Sequence, residues 1–190
     1  MMLIENKKWQ LLSTSYALNE KWIKVRKDVV KLPSGDVLDD FYVLEYSDWI
    51  NVIAITEDNK FVIERQYRHA YGQMCMEICA GVVEKDETPL EAAKRELREE
   101  TGYGGGDWSV FMKTTANPAI MNNTNYCFIA KGVKRITEIQ QEKTEDIEVF
   151  ILHEQDVLEH LLAGDFTQSL MCAPLWQYFY EKNNNVRNKK

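Results

Sequence analysis

The sequence predicts an α/β fold, with helices layered on a mixed sheet and a small antiparallel β-sheet added at the N-terminus. Three observations predict it. Short apolar and alternating segments follow one another up to Glu64, the period changes to that of a helix at Thr88-Pro89-Leu90-Glu91, and later strand-like segments give way to two stretches of helical spacing. At 190 residues, 45% of them apolar, the chain can build one core plus an appendage.

After a short lead-in, Trp22 to Leu32 and Asp39 to Tyr46 read as strands, and Pro33-Ser34-Gly35-Asp36 supplies the turn of a hairpin between them. Val52 to Ile55 and Phe61 to Glu64 form a second hairpin across Glu57-Asp58-Asn59-Lys60, its first strand a wholly apolar run that belongs inside a core. Glu77 to Val83 is short and mixed. Tyr126 to Gly132 and Ile147 to Leu152 are strand-like, Glu154 to Ala163 is a helix stopped by Gly164, and about Gln168 to Tyr180 is a last helix with Leu170, Met171, Leu175, Trp176 and Phe179 as its core stripe. This divides the chain into an N-terminal sheet region, 1–48, a main domain, 49–182, and a flexible tail, 183–190, at the end of the polar run that starts at Glu181.

Lys and Arg number 23 against 30 Asp and Glu, a net charge of −7, so the chain carries no electrostatic footprint for nucleic acid. No apolar run approaches a membrane span, and the opening MMLIENKKWQ lacks the apolar core of a signal peptide, so a cytosolic protein is expected. Cys75, Cys79, Cys127 and Cys172 show no CxxC pairing and read as buried small residues. His69, His153 and His160 have neither zinc spacing nor a triad-like neighbourhood, and Gly104-Gly105-Gly106 follows a helix instead of preceding one, which makes it a turn and not a phosphate loop.

The chemistry lies on the helix that begins at Thr88. Thr88 and Glu91 form a capping box, Pro89 suits the first turn and Gly102 closes the end. At ~100° per residue Glu100 falls ~40° to one side of Glu96 and Glu99 ~60° to the other, so all three border the apolar stripe of Ala93 and Leu97. Pairs Glu91–Arg95 and Arg95–Glu99 would account for some of the charge on an ordinary surface helix, each worth about 0.2–0.5 kcal/mol. Three neighbouring carboxylates beside a core edge raise one another's pKa unless a cation lies among them, and oxygen ligands suit Mg²⁺ or Mn²⁺. On the residues alone, metal site and surface helix both stay open.

Gly81 to Tyr103, GVVEKDETPLEAAKRELREETGY, resembles the Nudix box. Gly81 is followed after five residues by Glu87, and after seven more by Arg95-Glu96, Leu97, Glu99-Glu100 and Gly102, with Tyr103 where an aliphatic residue is usual. Beyond the box, Arg65-Gln66-Tyr67-Arg68 resembles the RQYR strand end of the ADP-ribose pyrophosphatase branch, and Glu77 to Gly81 resembles its ELPAG segment with Cys79 in place of proline. Pro118 stands fifteen residues past Tyr103, the spacing of that branch, and Ala119 replaces its usual glycine.

The resemblance implies a Nudix α/β/α sandwich with a mixed sheet, an N-terminal sheet that joins a homodimer, and metal-dependent hydrolysis of a nucleoside diphosphate linked to another moiety. It implies that the carbonyl of Ala80 with Glu96 and Glu100 holds Mg²⁺, or Mn²⁺, that Glu99 shares or bridges, and that Gly81, Glu87, Arg95 and Gly102 shape the box. The branch's loop base falls first on Glu145 and second on Glu142; Arg65, Arg68, Glu77 and Pro118 fall to the substrate, and Trp22 or Phe41 to stacking on its base. Each also has a plain reading, as loop surface, strand-end ion pair or core aromatic. A GDP-mannose or other nucleotide-sugar pyrophosphatase, and an ADP-ribose sensor without turnover, are the alternatives.

Overall fold

The computed structural model describes residues 7–184, and the sequence readings of residues 1–6 and 185–190 lie outside them. In chain order the elements are β1 (Gln10–Asn19), β2 (Lys24–Lys31), β3 (Val37–Glu45), β4 (Trp49–Thr56), β5 (Lys60–Arg68), β6 (Gln73–Glu77), β7 (Cys79–Val82), α1 (Pro89–Thr101), β8 (Tyr103–Gly104), β9 (Asp107–Thr114), β10 (Asn125–Arg135), β11 (Glu148–His153), α2 (Glu154–Ala163) and α3 (Ser169–Asn183). Among the described residues they divide into two compact units, 7–46 with 117–123, and 47–116 with 124–184.

In the first unit β1, β2 and β3 form an antiparallel meander. The turn at Pro33 to Asp36 is as expected: Gly35 has φ +97, and the Leu32 N–H donates to the Asp36 carbonyl. The lead-in, however, contains β1, which sequence reading passed over because its apolar residues do not alternate cleanly; the ladder shifts register on both sides of Leu12 and Ala17. The segment 117–123 joins this unit through the Leu44 N–H to the Ile120 carbonyl and a bridge from Leu44 to Met121.

The second unit is a mixed sheet in the order β11-β5-β4-β10-β8, with β6 beside β5, β7 beside β4 and β9 beside β10. β4 and β10 run parallel and lie at the centre, which is why β4 is buried along nearly its whole length. Alternation sends Ile50, Val52 and Ala54 to the face covered by α1, with Ala92, Ala93 and Leu97, and Ile53 and Ile55 to the face covered by α2 and α3, with Leu161, Met171 and Leu175. The α/β/α layering follows. β9, unread in the sequence, is a strand whose exposed residues outnumber its buried ones.

Helix α3 departs from the reading in three ways. Trp176 is exposed, since it lies ~140° around the helix from Met171, and Pro174 takes a buried place instead. Pro174 has no N–H for the carbonyl of Leu170, and Asn51 Nδ2 on β4 donates to that carbonyl at 2.7 Å in its stead. The helix also continues through Glu181 to Asn183, into the expected tail.

Candidate active site

Helix α1 has the ends that its sequence specifies. The Thr88 side chain accepts from the Glu91 N–H, Glu91 accepts from the Thr88 N–H at 2.8 Å, and Gly102 adopts φ 76. Glycine is needed there twice over, because a Cβ would also stand 2.6 Å from the Thr137 carbonyl. Glu91 is thus engaged in the cap, and among the described residues Arg95 pairs with Glu87, Glu96 and Glu99 and not with Glu91 as expected. Arg95 instead binds Glu87 through Nε at 2.9 Å and Nη2 at 3.0 Å, reaches the Val82 carbonyl at 3.1 Å, and contacts Glu96 at 2.9 Å and Glu99 at 3.5 Å. One guanidinium ties the loop before the helix to the carboxylate face.

That face packs on the end of β7. Gly81 leaves a space that Glu96 fills, with Glu96 Oε1 only 2.1 Å from where a Cβ would be. Glu100 is buried beside Cys79 and the backbone of Ala80, both of which act to lower its pKa, and keeps Oε2 without a partner. Burial first, and then the charge of Glu96, pushes Glu100 up to about 8, with Glu145 adding in the same direction. Burial likewise raises Glu96 despite Arg95. Glu99 is turned toward Arg98, at 2.9 Å, and Arg95.

Parity along β5 sorts the residues of its strand end. Glu64, Gln66 and Arg68 share the α1 face with Val62; Arg65 lies on the other, pairing with Glu148 at 2.6 Å and lying 5.6 Å from the ring centre of Phe150. Glu77, opposite Glu64 in the β5–β6 ladder, is buried and held by Arg68 Nε at 2.7 Å and Gln66 Nε2 at 3.0 Å. Both arginines thus make strand-end ion pairs, Arg65 with Glu148 and Arg68 with Glu77. Arg68 and Glu77 come together with the box; Arg65 does not share their face.

A family model described as the NUDIX domain matches residues 48–169. The chain belongs to the Nudix hydrolase family. A second model, the nucleoside diphosphate sugar hydrolase N-terminal domain, matches residues 9–44. The chain is 32% identical over 124 residues to the methanol dehydrogenase activator of Bacillus methanolicus, covering 65% of this chain and 66% of that protein. It is 25% identical over 151 residues to the ADP-ribose pyrophosphatase of Mycobacterium tuberculosis, covering 78% of this chain and 72% of that one. Its fold is like that of a solved structure described as an ADP compounds hydrolase, with a TM-score of 0.79 at 17% identity over 94% of this chain and 96% of the other.

Within the Nudix domain the loop after β10 closes over the end of α1. Gln141 Nε2 donates to the carbonyls of Glu100 and Ile147, and the Gln140 N–H to that of Glu99. This anchoring brings the charge of Glu145 to bear on Glu96 and Glu100, while the Glu142 N–H donates to Glu145 Oε2 at 2.8 Å and holds that side chain in the loop. Pro118, Trp22 and Phe41 belong to the other unit. There Pro118 sits in the turn closed on the Asn117 carbonyl, Trp22 is 79% exposed, and Phe41 meets Trp9 edge-on at 5.6 Å.

Sequence reading missed Glu64. It is fully buried on the α1 face, raised well above the usual carboxylate range by burial and then by Glu100 and Glu77, and has Oε1 without a partner. The signal was present: strand alternation puts position 64 beside Val62, toward the box helix.

Proposed function

We propose that the chain hydrolyses the diphosphate bond of ADP-ribose or a related nucleoside diphosphate sugar in a reaction that needs a divalent cation, giving a nucleoside monophosphate and a sugar phosphate. The observation that carries the reading is the convergence of Glu96 and Glu100 on the Ala80-Gly81 end of β7, with a buried Glu100 oxygen that no protein group satisfies. The relatives named above as acting on ADP-ribose and ADP compounds support the substrate class.

The residues fit a hard cation. Oxygen donors predominate at the mouth of the site, they raise one another's pKa, and Gly81 clears the space that Glu96 occupies. The Ala80 carbonyl, Glu96 and Glu100 would hold Mg²⁺, or Mn²⁺, and Glu99 would join by leaving Arg98. A divalent cation bound there would supply charge neutralisation for the diphosphate and activation of a water. Glu145, on its anchored loop, would be the base that accepts the proton of the attacking water, and Glu142 is the second choice. Arg68, preset by Glu77 and Gln66, offers its fixed charge to a phosphate oxygen, and Arg65 could do so only by leaving Glu148. The wide apolar exposure of β1 supports a homodimer formed through the N-terminal sheet.

The test is product analysis from ADP-ribose, GDP-mannose and ADP-glucose with and without Mg²⁺. AMP and ribose 5-phosphate from ADP-ribose, only with the cation, are expected. Cleavage of GDP-mannose alone would move the substrate to another nucleotide sugar, and binding of ADP-ribose without cleavage would make the chain a sensor.

A further inference from the structure

Beneath the box carboxylates lies a second set of ligand atoms with a different chemistry. Glu64, Cys79 and Glu100, all buried, each present one, and these atoms lie within 4.8 Å of one another. A tetrahedral ion with bonds of ~2.0–2.3 Å spaces its sulfur and oxygen ligands ~3.5 Å apart, so side-chain adjustments of about an ångström would close the set on a single cation. From the structure we infer that Glu64, Cys79 and Glu100 form an inner site for a thiophilic divalent cation of the Zn²⁺, Co²⁺ and Fe²⁺ class, which adds Glu64 and Cys79 to the one glutamate, Glu100, that it shares with the oxygen-only ligand set of the box.

Two independent features point to a ligand there. Glu64 Oε1 and Glu100 Oε2 are both buried and both lack a hydrogen-bond partner, at side chains only 1% and 4% exposed. A buried carboxylate oxygen with nothing to accept from is costly, and a cation removes that cost for both. The neighbouring protein cation does not do so, because Arg68 directs its guanidinium at Glu77. The second feature is the sulfur. Strand geometry points Cys79 toward α1 with Ala92, Ala93 and Leu97, at the one position before Ala80 where its Sγ meets Glu100. Mg²⁺ takes oxygen and retains water, whereas a thiolate with two carboxylates selects the softer divalent ions, leaving a fourth position for water. Glu100 has two oxygens and can serve both sites. The inference goes beyond the proposed reaction and does not depend on turnover.

The experiment is a Co²⁺ titration of the metal-free full-length protein, followed by near-ultraviolet absorption. One equivalent of Co²⁺ should produce a sulfur-to-cobalt charge-transfer band, Zn²⁺ should abolish it, and a large excess of Mg²⁺ should leave it. Cys79→Ser should lose the band, and Glu64→Gln should weaken Co²⁺ binding at least tenfold. Absence of the band from the wild-type protein, its survival in Cys79→Ser, or unchanged affinity in Glu64→Gln would overturn the site and leave Cys79 as a thiol donating to Glu100. Should Cys79→Ser not fold, the band must persist in Cys75→Ala and Cys172→Ala, and its loss in either would overturn the assignment. The band reads coordination alone, so failure of Mg²⁺-dependent cleavage and failure of this site are separate results.

Discussion

A Cβ on Gly81 would stand 2.1 Å from Glu96 Oε1, so the glycine of β7 and the glutamate of α1 occupy one another's space. The residue before the loop and the residue in the middle of the helix are fixed as a pair. Gly81→Ala must expel Glu96 from its place without touching the caps of α1. Mg²⁺ affinity and turnover should each fall at least tenfold while the far-ultraviolet circular dichroism stays that of the wild type; Mg²⁺ titration calorimetry reads the first directly, and wild-type affinity would show that Glu96 is not a ligand.

Arg95 holds Glu87, Glu96 and Glu99 at once, and its side chain is only 22% exposed. Lysine keeps the charge and loses the fork that grips Glu87 with two nitrogens. Arg95→Lys should cost about 1–2 kcal/mol, lowering Tm by roughly 3–6 °C for a chain of this size. An unchanged melting temperature would mean that the loop is held by something else.

Stability without metal should depend on pH in a particular direction. Glu100 is raised to about 8 and Glu64 is raised as well, so each keeps its proton in the folded protein where the unfolded chain has lost it. The stabilisation is complete below the unfolded value of ~4.3 and disappears as pH rises through 8. Tm in EDTA should fall steadily from pH 5 to pH 9, less steeply in Glu100→Gln, and saturating Mg²⁺ should flatten the fall by binding the ionised form. A metal-free Tm that rises over this range would refute the burial of these carboxylates.

Strand β1 is exposed at all ten positions, and Leu11, Leu12, Tyr16 and Leu18 are each at least 40% exposed. A sheet edge with this composition invites a second copy. Leu11→Glu with Leu18→Glu should convert a sedimenting dimer to a monomer, and a wild-type protein that sediments as a monomer at micromolar concentration would remove the homodimer from the account.

What could be read in the sequence was what is specified locally. Thr88, Pro89, Glu91 and Gly102 fix both ends of α1 through bonds within a few residues, and Gly164 does the same for α2, whose bounds the sequence gives to the residue. Features set by partners far along the chain were not legible. β1 and β9 are strands because β2 and β10 pair with them, since their own alternation is weak. Arg65 could be placed with Glu148 only once the β5–β11 register was known, and alternation puts Glu64 on the face of Val62 without showing that Cys79 and Glu100 meet it there. Likewise the place of Pro118 in the first unit comes from a bridge to β3 that its spacing from the box does not reveal.

The proposed cation site depends most on Glu100, the buried carboxylate with an unpartnered oxygen. Glu100→Gln keeps the volume and the surroundings of the side chain while removing its charge, so the fold should persist. The most direct measurement is the initial rate of AMP release from ADP-ribose at saturating Mg²⁺ for the wild type and Glu100→Gln, side by side. A loss of at least a hundredfold in a variant that melts cooperatively is the result expected; release at the wild-type rate would show that Glu100 takes no part in diphosphate cleavage.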